Sequence, residues 1–124
     1  MKKSVLVVDD EQGFRDLFVF LLEPLGLEVT CVRNGKEAVQ KVEEKAYDLI
    51  LMDVHMPEMN GIDALKKIRA LRPNQKVAIF SSGSDAAYLL EKEAVENGAI
   101  ECLLKPVELK EIERILDKTV GASE

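Results

Sequence analysis

The feature that most constrains this chain is an alternation of short apolar runs with segments of helical pattern. The runs are largely continuous in apolar character rather than alternating, although Thr30 and Cys31 interrupt the second run. Such runs are typical of parallel strands that are buried on both faces of a sheet. They lie at residues 5–8, 29–32, 49–52, 77–80 and 100–104. Because each run is followed by a segment long enough to cross over the sheet as a helix, the sequence predicts the pattern (βα)5.

The residues between the runs predict where individual helices begin and end. Asn34 followed by Glu37, and Asn60 ahead of the third helical pattern, are suited to cap helix N-termini. Gly98 suits a left-handed residue at the end of the fourth helix, and the fifth helix is expected just after Pro106. We expect the first helix to pack on the sheet through an apolar stripe of Phe14, Leu17, Phe18, Leu21, Leu22 and Leu25.

Strands and helices that alternate in this way predict one architecture. Helices must cover both faces of the parallel sheet, because otherwise one apolar face would stay bare. We therefore expect an α/β fold of the flavodoxin-like class, a doubly wound sheet of five parallel strands in the order 2-1-3-4-5. In such sheets the functional crevice lies at the carboxyl ends of the strands, so the residues just after each strand are the candidates for function.

Length and charge narrow the possible functions. The chain of 124 residues predicts a single domain over residues 1–124, with a frayed tail at 121–124. It carries 17 basic and 23 acidic residues, which leaves a formal charge of −6. We therefore expect no direct binding to nucleic acid or to a membrane surface, because both depend largely on cationic side chains.

Rare residue types narrow the chemistry further. His55 is the only histidine, and the two cysteines, Cys31 and Cys102, are isolated from any metal-ligand spacing. These counts argue against a zinc site and against a Ser-His-Asp triad. The apolar run at 5–8 is shorter than the apolar region expected of a signal peptide, and no apolar stretch approaches the roughly 20 residues that cross a bilayer. We expect a cytoplasmic protein with reduced thiols.

Charged and hydroxyl side chains follow four of the predicted strands. They are Asp9 and Asp10 after the first strand, Asp53 after the third, Ser81 after the fourth and Lys105 after the fifth. All are expected at one edge of the sheet, where carboxylates raise one another's pKa unless a cation compensates them. An oxygen-rich cluster without histidine or cysteine ligands suits Mg²⁺ rather than zinc, so Mg²⁺ is the inferred cofactor.

The same constellation predicts phosphoryl transfer. Asp53 lies at the tip of the central strand, and a carboxylate can accept a phosphoryl group covalently, so we assign it as the acceptor. The Lys105 ammonium and the Ser81 hydroxyl can meet the charge on the phosphoryl oxygens. Because the transition state is loose, the site mainly has to position the groups and stabilise this charge.

Four segments together resemble one family. They are residues 5–11 (VLVVDDE), 53–61 (DVHMPEMNG), 80–82 (FSS) and 104–106 (LKP). Each is weak alone, but all four occur in order at the ends of strands one, three, four and five. The sequence resembles the receiver domain of a two-component response regulator. The resemblance covers nearly the whole chain.

The resemblance implies roles for individual residues. A histidine kinase or a phosphotransfer protein would donate a phosphoryl group to Asp53. Mg²⁺ would be held by the side chains of Asp10 and Asp53 and the backbone carbonyl of His55, with Asp9 acting through water. Lys105 matches the lysine of the family, and Ser81 matches its hydroxyl switch residue.

The resemblance also implies how such a domain works. It would be a signalling switch rather than an enzyme, since it promotes only its own phosphorylation and dephosphorylation. The surface of the fourth helix, fifth strand and fifth helix would rearrange to bind a downstream effector. Phosphorylation could also lead two copies of the domain to form a dimer. The first helix and the loop after the fifth strand would dock the kinase or phosphotransfer protein.

Three positions leave alternatives open. Cys102 and Val107 stand where this family often has aromatic residues, which puts the usual coupling of an aromatic to the hydroxyl switch in doubt. We interpret Cys102 as a small apolar filler of the last strand. His55 either contributes only its carbonyl to the metal site or also tunes the lifetime of the phosphoryl group.

Two other kinds of function are compatible with the same fold. One is a small flavodoxin-like enzyme, but a flavin phosphate would be repelled by residues 9–11, and a phosphatase would more typically carry an acid at position 55. The other is a receiver-like interaction module that works without phosphorylation. The presence of Asp10, Asp53, Ser81 and Lys105 together argues against that alternative.

Overall fold

The computed structural model describes residues 2–56, 59–81 and 85–120, with only the backbone described at 85–87. The strands are β1 (Ser4–Val8), β2 (Glu28–Val32), β3 (Leu49–Asp53), β4 (Val77–Ser81) and β5 (Glu101–Leu104). The helices are α1 (Gln12–Leu22), α2 (Gly35–Glu44), α3 (Gly61–Leu71), α4 (Asp85–Glu96) and α5 (Leu109–Thr119), with a short 3-10 helix at Glu23–Leu25. The expected tail at 121–124 and the motif residues Pro57, Glu58 and Ser82 lie outside the described residues.

The strands form one parallel sheet in the order β2-β1-β3-β4-β5, which confirms the predicted architecture. Four of the strands contain the whole of the predicted run, and β5 begins one residue later than the run at 100–104. The register places Asp53 of β3 opposite Phe80 of β4, and Ser81 opposite Leu104 of β5. The carboxyl ends of neighbouring strands therefore meet at one edge.

The helices cover both faces of the sheet. On one face, a core cluster brings side chains of β1, β3 and β4 together with Phe18 and Leu22 of α1 and Ile112, Ile115 and Leu116 of α5. On the other face, a second cluster includes Ala38 and Val42 of α2, Ile62, Leu65 and Ile68 of α3, and Ala94 of α4. Every residue of β3 is buried, as expected for a central strand covered on both sides.

The predicted stripe of α1 was too wide. Phe18 and Leu22 are fully buried, but Leu17 is 44% exposed and Leu25 is 37% exposed. Leu25 lies beyond the end of α1, in the 3-10 helix that contains Pro24, so it no longer follows the helical spacing. Leu17 lies beside the buried line of the helix and is left at its solvent edge.

The predicted caps are confirmed. The Asn34 side chain accepts a hydrogen bond of 2.9 Å from the Glu37 N–H, and the Asn60 side chain accepts one of 3.0 Å from the Asp63 N–H. Gly98 follows α4 with a φ of 97°, in the left-handed region. Within the described part of the chain, there is no helix with the length and apolar character that a membrane span requires.

The start of α3 lies unusually close to the end of β3. The Gly61 N–H donates to the Val54 carbonyl at 3.1 Å. A Cβ added to Gly61 would lie 2.7 Å from the Asp53 carbonyl oxygen and 2.7 Å from the Val54 Cα. Because both are backbone atoms, they cannot rotate away, so this position accommodates only glycine without a shift of the strand end.

This close approach gives a prediction about stability. We expect Gly61→Ala to lower the free energy of unfolding by about 2 kcal/mol, because overpacking against backbone forces the chain to move. Gly13→Ala is the matched control, since a Cβ on this exposed residue of α1 has nothing within 4 Å. It should be neutral or stabilise by up to about 1 kcal/mol. Urea unfolding measures both, and equal stability of Gly61→Ala and the parent would contradict this packing.

Candidate functional site

The site begins with two carboxylates on neighbouring strands. Asp9 directly follows β1, Asp53 is the last residue of β3, and β1 pairs with β3 in parallel. Asp9 is fully buried and Asp53 is 6% exposed, whereas Asp10 is exposed. Two buried carboxylates side by side would be strongly unfavourable without a compensating cation.

Lys105 supplies that cation. Its Nζ lies 3.0 Å from the Asp9 Oδ2 and 3.0 Å from the Asp53 Oδ2, so one ammonium joins the two carboxylates. It also lies 4.0 Å from a carboxylate oxygen of the exposed Glu11. The Lys105 N–H donates to the Ser81 carbonyl at 2.9 Å, which ties the lysine to the end of β4. Lys105 is therefore held both by the bonds of its ammonium and by the bond of its backbone N–H.

Backbone donors fix the other oxygen of each carboxylate. The Glu11 N–H donates to the Asp9 Oδ1 at 2.9 Å, and the His55 N–H donates to the Asp53 Oδ1 at 2.9 Å. In each carboxylate, one oxygen thus accepts a hydrogen bond from a backbone amide and the other accepts one from the Lys105 ammonium. This orientation follows from the loops that leave β1 and β3, since the donor lies two residues after the acid in each case.

Burial and hydrogen bonding have opposing effects on the pKa of Asp9 and on the pKa of Lys105. Burial raises the pKa of Asp9, and the hydrogen bonds from the Glu11 N–H and the Lys105 ammonium act against it. Burial also disfavours the charge on Lys105, but the hydrogen bonds to Asp53 and Asp9 outweigh it and raise the pKa of the ammonium. Lys105 is therefore a cation at neutral pH, and it offsets negative charge at this edge.

The carboxylates have the composition of a site for a hard divalent cation. One oxygen each from Asp9, Asp10 and Asp53 lie within 4.8 Å of one another. Oxygen donors of this kind are those that Mg²⁺ prefers, and the exposed Asp10 leaves one side open for water ligands. The residues present therefore fit Mg²⁺.

The described structure brings together most of the site residues that the sequence predicts. Asp9, Asp10, Asp53 and Lys105 share one crevice. Ser81 is fully buried at the end of β4 and contacts this group through its backbone carbonyl. His55 is exposed, and its backbone N–H donates to the Asp53 carboxylate.

Two neighbours of the site carry no sequence motif of their own. The Arg15 Nη1 donates to the Asp9 carbonyl at 2.7 Å. The Phe14 ring lies beside Lys105, with the Nζ 4.3 Å from the ring centroid. Arg15 is close to the acidic pair in sequence, but no local pattern indicates the contact of Phe14 with Lys105.

Comparison with known proteins decides the family. Residues 5–117 match the family model described as a response regulator receiver domain. The chain belongs to this receiver domain family. It is 38% identical over 119 residues to the chemotaxis protein CheY of Thermotoga maritima, a match that covers 95% of this chain and 98% of that protein.

Longer proteins and solved structures contain the same domain. The chain is 35% identical over 118 residues to the transcriptional regulatory protein ZraR of Escherichia coli O157:H7, covering 95% of this chain but 26% of ZraR. The receiver domain of the sensor histidine kinase PA1611 from Pseudomonas aeruginosa, solved with a magnesium ion in its active site cleft, has a TM-score of 0.87. It is 29% identical, and the match covers 98% of this chain and 100% of that one. These matches support the receiver interpretation over a flavodoxin-like enzyme.

Within the receiver fold, Cys102 packs as a small apolar residue. It is half-buried against the cluster that α2, α3 and α4 form on the sheet, and its Sγ donates to the Glu91 carbonyl at 3.8 Å. Burial raises the pKa of the Cys102 thiol, and the negative charges of Glu91 and Glu101 add to the effect. This packing supports the interpretation of Cys102 as filler. Val107 packs against the cluster on the other face.

The joint role of Lys105 gives a testable consequence for stability. Lys105→Met should lower the free energy of unfolding in EDTA by about 2 kcal/mol or more, because two buried carboxylates lose their shared cation. Lys118→Met is the control: its side chain is 59% exposed and its contact with Glu101 is 3.9 Å long. An exposed pair of this kind contributes about 0–1 kcal/mol. If denaturant unfolding gave equal losses for the two variants, the bridge would not stabilise the fold.

Proposed function

We propose that this receiver domain is a phosphorylation-controlled switch in which Asp53 accepts a phosphoryl group. The observation that carries the proposal is the Lys105 ammonium, which is bound to both buried carboxylates 3.0 Å from the Asp53 Oδ2. In the proposed step, an Asp53 oxygen attacks the phosphorus of a phosphohistidine. The phosphorus–nitrogen bond breaks, and the histidine nitrogen keeps the electron pair.

The residues that would hold Mg²⁺ are the side chains of Asp10 and Asp53 and the carbonyl of His55, with Asp9 acting through water. The close approach of the Asp9, Asp10 and Asp53 oxygens supports this assignment. When bound, the ion would neutralise charge on the phosphoryl oxygens. Asp9 is the most buried of the three and is engaged by Lys105, which fits an indirect role.

Lys105 and Ser81 would stabilise the phosphoryl group from the other side. The ammonium can move its hydrogen bond from the Asp53 oxygen to a phosphoryl oxygen, since both lie within reach of one flexible side chain. Ser81 ends the strand next to Asp53 and lies beside Lys105 in the backbone ladder. Its hydroxyl would donate to the phosphoryl group as the switch residue.

The switch would be read on α4, β5 and α5. These elements carry exposed large apolar side chains, namely Tyr88, Leu89 and Val95 on α4, Leu104 on β5 and Leu109 on α5. Such residues suit a partner surface whose arrangement depends on the charge at Asp53. The downstream effector, or a second copy in a phosphorylation-dependent dimer, would bind there.

The input partner would be a sensor histidine kinase or a phosphotransfer protein. It would dock on α1 and on the loop after β5, and the exposure of Phe20 on α1, which is 76%, supports this surface. In this scheme the domain acts only on its own phosphorylation and dephosphorylation, so it is a signalling switch rather than an enzyme with a separate substrate.

Phosphorylation by a small donor tests the acceptor directly. With acetyl phosphate and Mg²⁺, the intact protein should gain the mass of one phosphoryl group, and EDTA should prevent the gain. Asp53→Ala should abolish it, whereas Asp117→Asn, at an exposed position of α5, should behave like the parent. No mass gain in the parent, or a gain that survives Asp53→Ala, would contradict the proposed function.

The role of the His55 side chain has a separate test. If the imidazole lines the path of the water that attacks the aspartyl phosphate, His55→Ala should speed phosphate loss by about threefold, or roughly 0.6 kcal/mol in the barrier. Gln40→Ala, on the exposed side of α2, is the control. Equal rates of phosphate loss for His55→Ala and the parent would leave His55 with only its carbonyl role.

A further inference from the structure

Phe14 lies in the first turn of α1, and its ring faces the ammonium of the site. The Lys105 Nζ is 4.3 Å from the centroid of this ring, well inside the range at which a cation is attracted to an aromatic face. The same Nζ is 3.0 Å from Asp9 and 3.0 Å from Asp53. The ammonium therefore has carboxylates as hydrogen-bond acceptors and an aromatic ring as a further neighbour.

The Phe14 ring also packs against two other rings. Its centroid lies 4.9 Å from that of Phe18 and 5.4 Å from that of Phe80, the latter in an edge-on arrangement with planes at 78°. Phe18 and Phe80 are buried and contact each other at 5.2 Å. Phe80 precedes Ser81 and lies opposite Asp53 in the sheet, so the ring cluster is fixed to the same strand ends as the site.

An aromatic ring next to Lys105 differs from an aliphatic side chain of similar size. Its face attracts the positive charge, whereas a leucine would only fill the volume. The ring also offers no lone pair that competes strongly for the ammonium hydrogens, so these stay available to oxygen acceptors. The Lys105 side chain is 22% exposed, so the contact is partly shielded from water.

We propose that Phe14 is a positioning residue, whose ring face holds the Lys105 ammonium beside Asp53 so that it is in place for an incoming phosphoryl group. The inference rests on the proposed function for the reaction it serves, but the contact itself is independent of that reaction. Phe14 and Phe18 lie outside the acid, hydroxyl and lysine motifs, whereas Phe80 belongs to the segment 80–82. The ring adds a further directional contact to a long side chain that the two carboxylates already hold, and so narrows its remaining rotamer freedom.

The contact can be tested without phosphorylation. In the metal-free protein, protons of the Lys105 side chain next to Nζ should show upfield NMR shifts, because Nζ lies 4.3 Å from the centroid of the Phe14 ring. Phe14→Leu should remove these shifts and Phe14→Tyr should keep them. Unshifted Lys105 protons in the parent, or shifts that survive Phe14→Leu, would overturn the inference.

The effect of Phe14 on function can be measured as the rate of phosphorylation by acetyl phosphate at saturating Mg²⁺. Phe14→Leu and Phe14→Met should each be slower by about fivefold, the size expected of a partly exposed cation–aromatic contact. Phe14→Tyr should recover most of the rate. Phe18→Leu is the matched control, because it removes a ring from the same cluster without touching the ammonium, and it should stay within about twofold.

A double-variant comparison separates positioning from general packing. In a Lys105→Ala background, Phe14→Leu should cause no further loss of rate, since its effect acts through the ammonium. An equal loss in Phe18→Leu and Phe14→Leu, or a full loss in the Lys105→Ala background, would overturn the positioning role. If the parent itself took no phosphate, the proposed function would fail, while the NMR shifts would still decide whether Phe14 holds the ammonium.

Discussion

The rest of this site depends on the contact of one ammonium with two buried carboxylates. Asp9 and Asp53 come from the neighbouring strands β1 and β3, both are buried, and Lys105 donates a hydrogen bond to each. Burying a charge is costly unless it is paired and hydrogen-bonded, and here each carboxylate also accepts from a backbone amide. The same contact that offsets the buried charge at this edge also places a cation next to Asp53.

The sheet order explains why residues far apart in sequence meet. The strands β1, β3, β4 and β5 are neighbours in this order in the sheet. The residues at or just after their carboxyl ends therefore lie along one edge, namely Asp9, Asp53, Ser81 and Lys105. The helices contribute through their first residues: Gly61 lets α3 begin against the backbone of Asp53, and the start of α1 brings Phe14 to Lys105. Folding and site assembly are therefore the same event for these groups.

Much of this could be predicted from the sequence, because it depends on local patterns. The apolar runs predicted the strands, and Asn34 and Asn60 predicted two helix caps. The acids that follow the strands predicted the carboxylate cluster of Asp9, Asp10 and Asp53. The exposure of Leu17 could not be predicted, because the spacing of apolar residues does not tell how much of a helix the sheet covers.

Other features of the site depend on tertiary contacts that leave little mark on the sequence. Asp9 and Asp10 are adjacent acids, but one is fully buried and the other is exposed. Successive residues leaving a strand point to different sides, and the sequence does not say which side is closed. The contact of Phe14 with Lys105 joins residues at opposite ends of the chain, so no local pattern could indicate it.

The proposal that Asp53, held beside Lys105, accepts a phosphoryl group together with Mg²⁺ can be tested by one measurement. Beryllofluoride, which mimics a phosphoryl group on a carboxylate, tests it most directly when followed by the backbone amide NMR signals of His55 and Lys105. These amides donate to the Asp53 carboxylate and to the Ser81 carbonyl, so they report on both halves of the site. We expect a saturable shift of both signals that needs Mg²⁺ and is absent from Asp53→Ala. Unchanged signals in the parent, or the same shifts in Asp53→Ala, would contradict it.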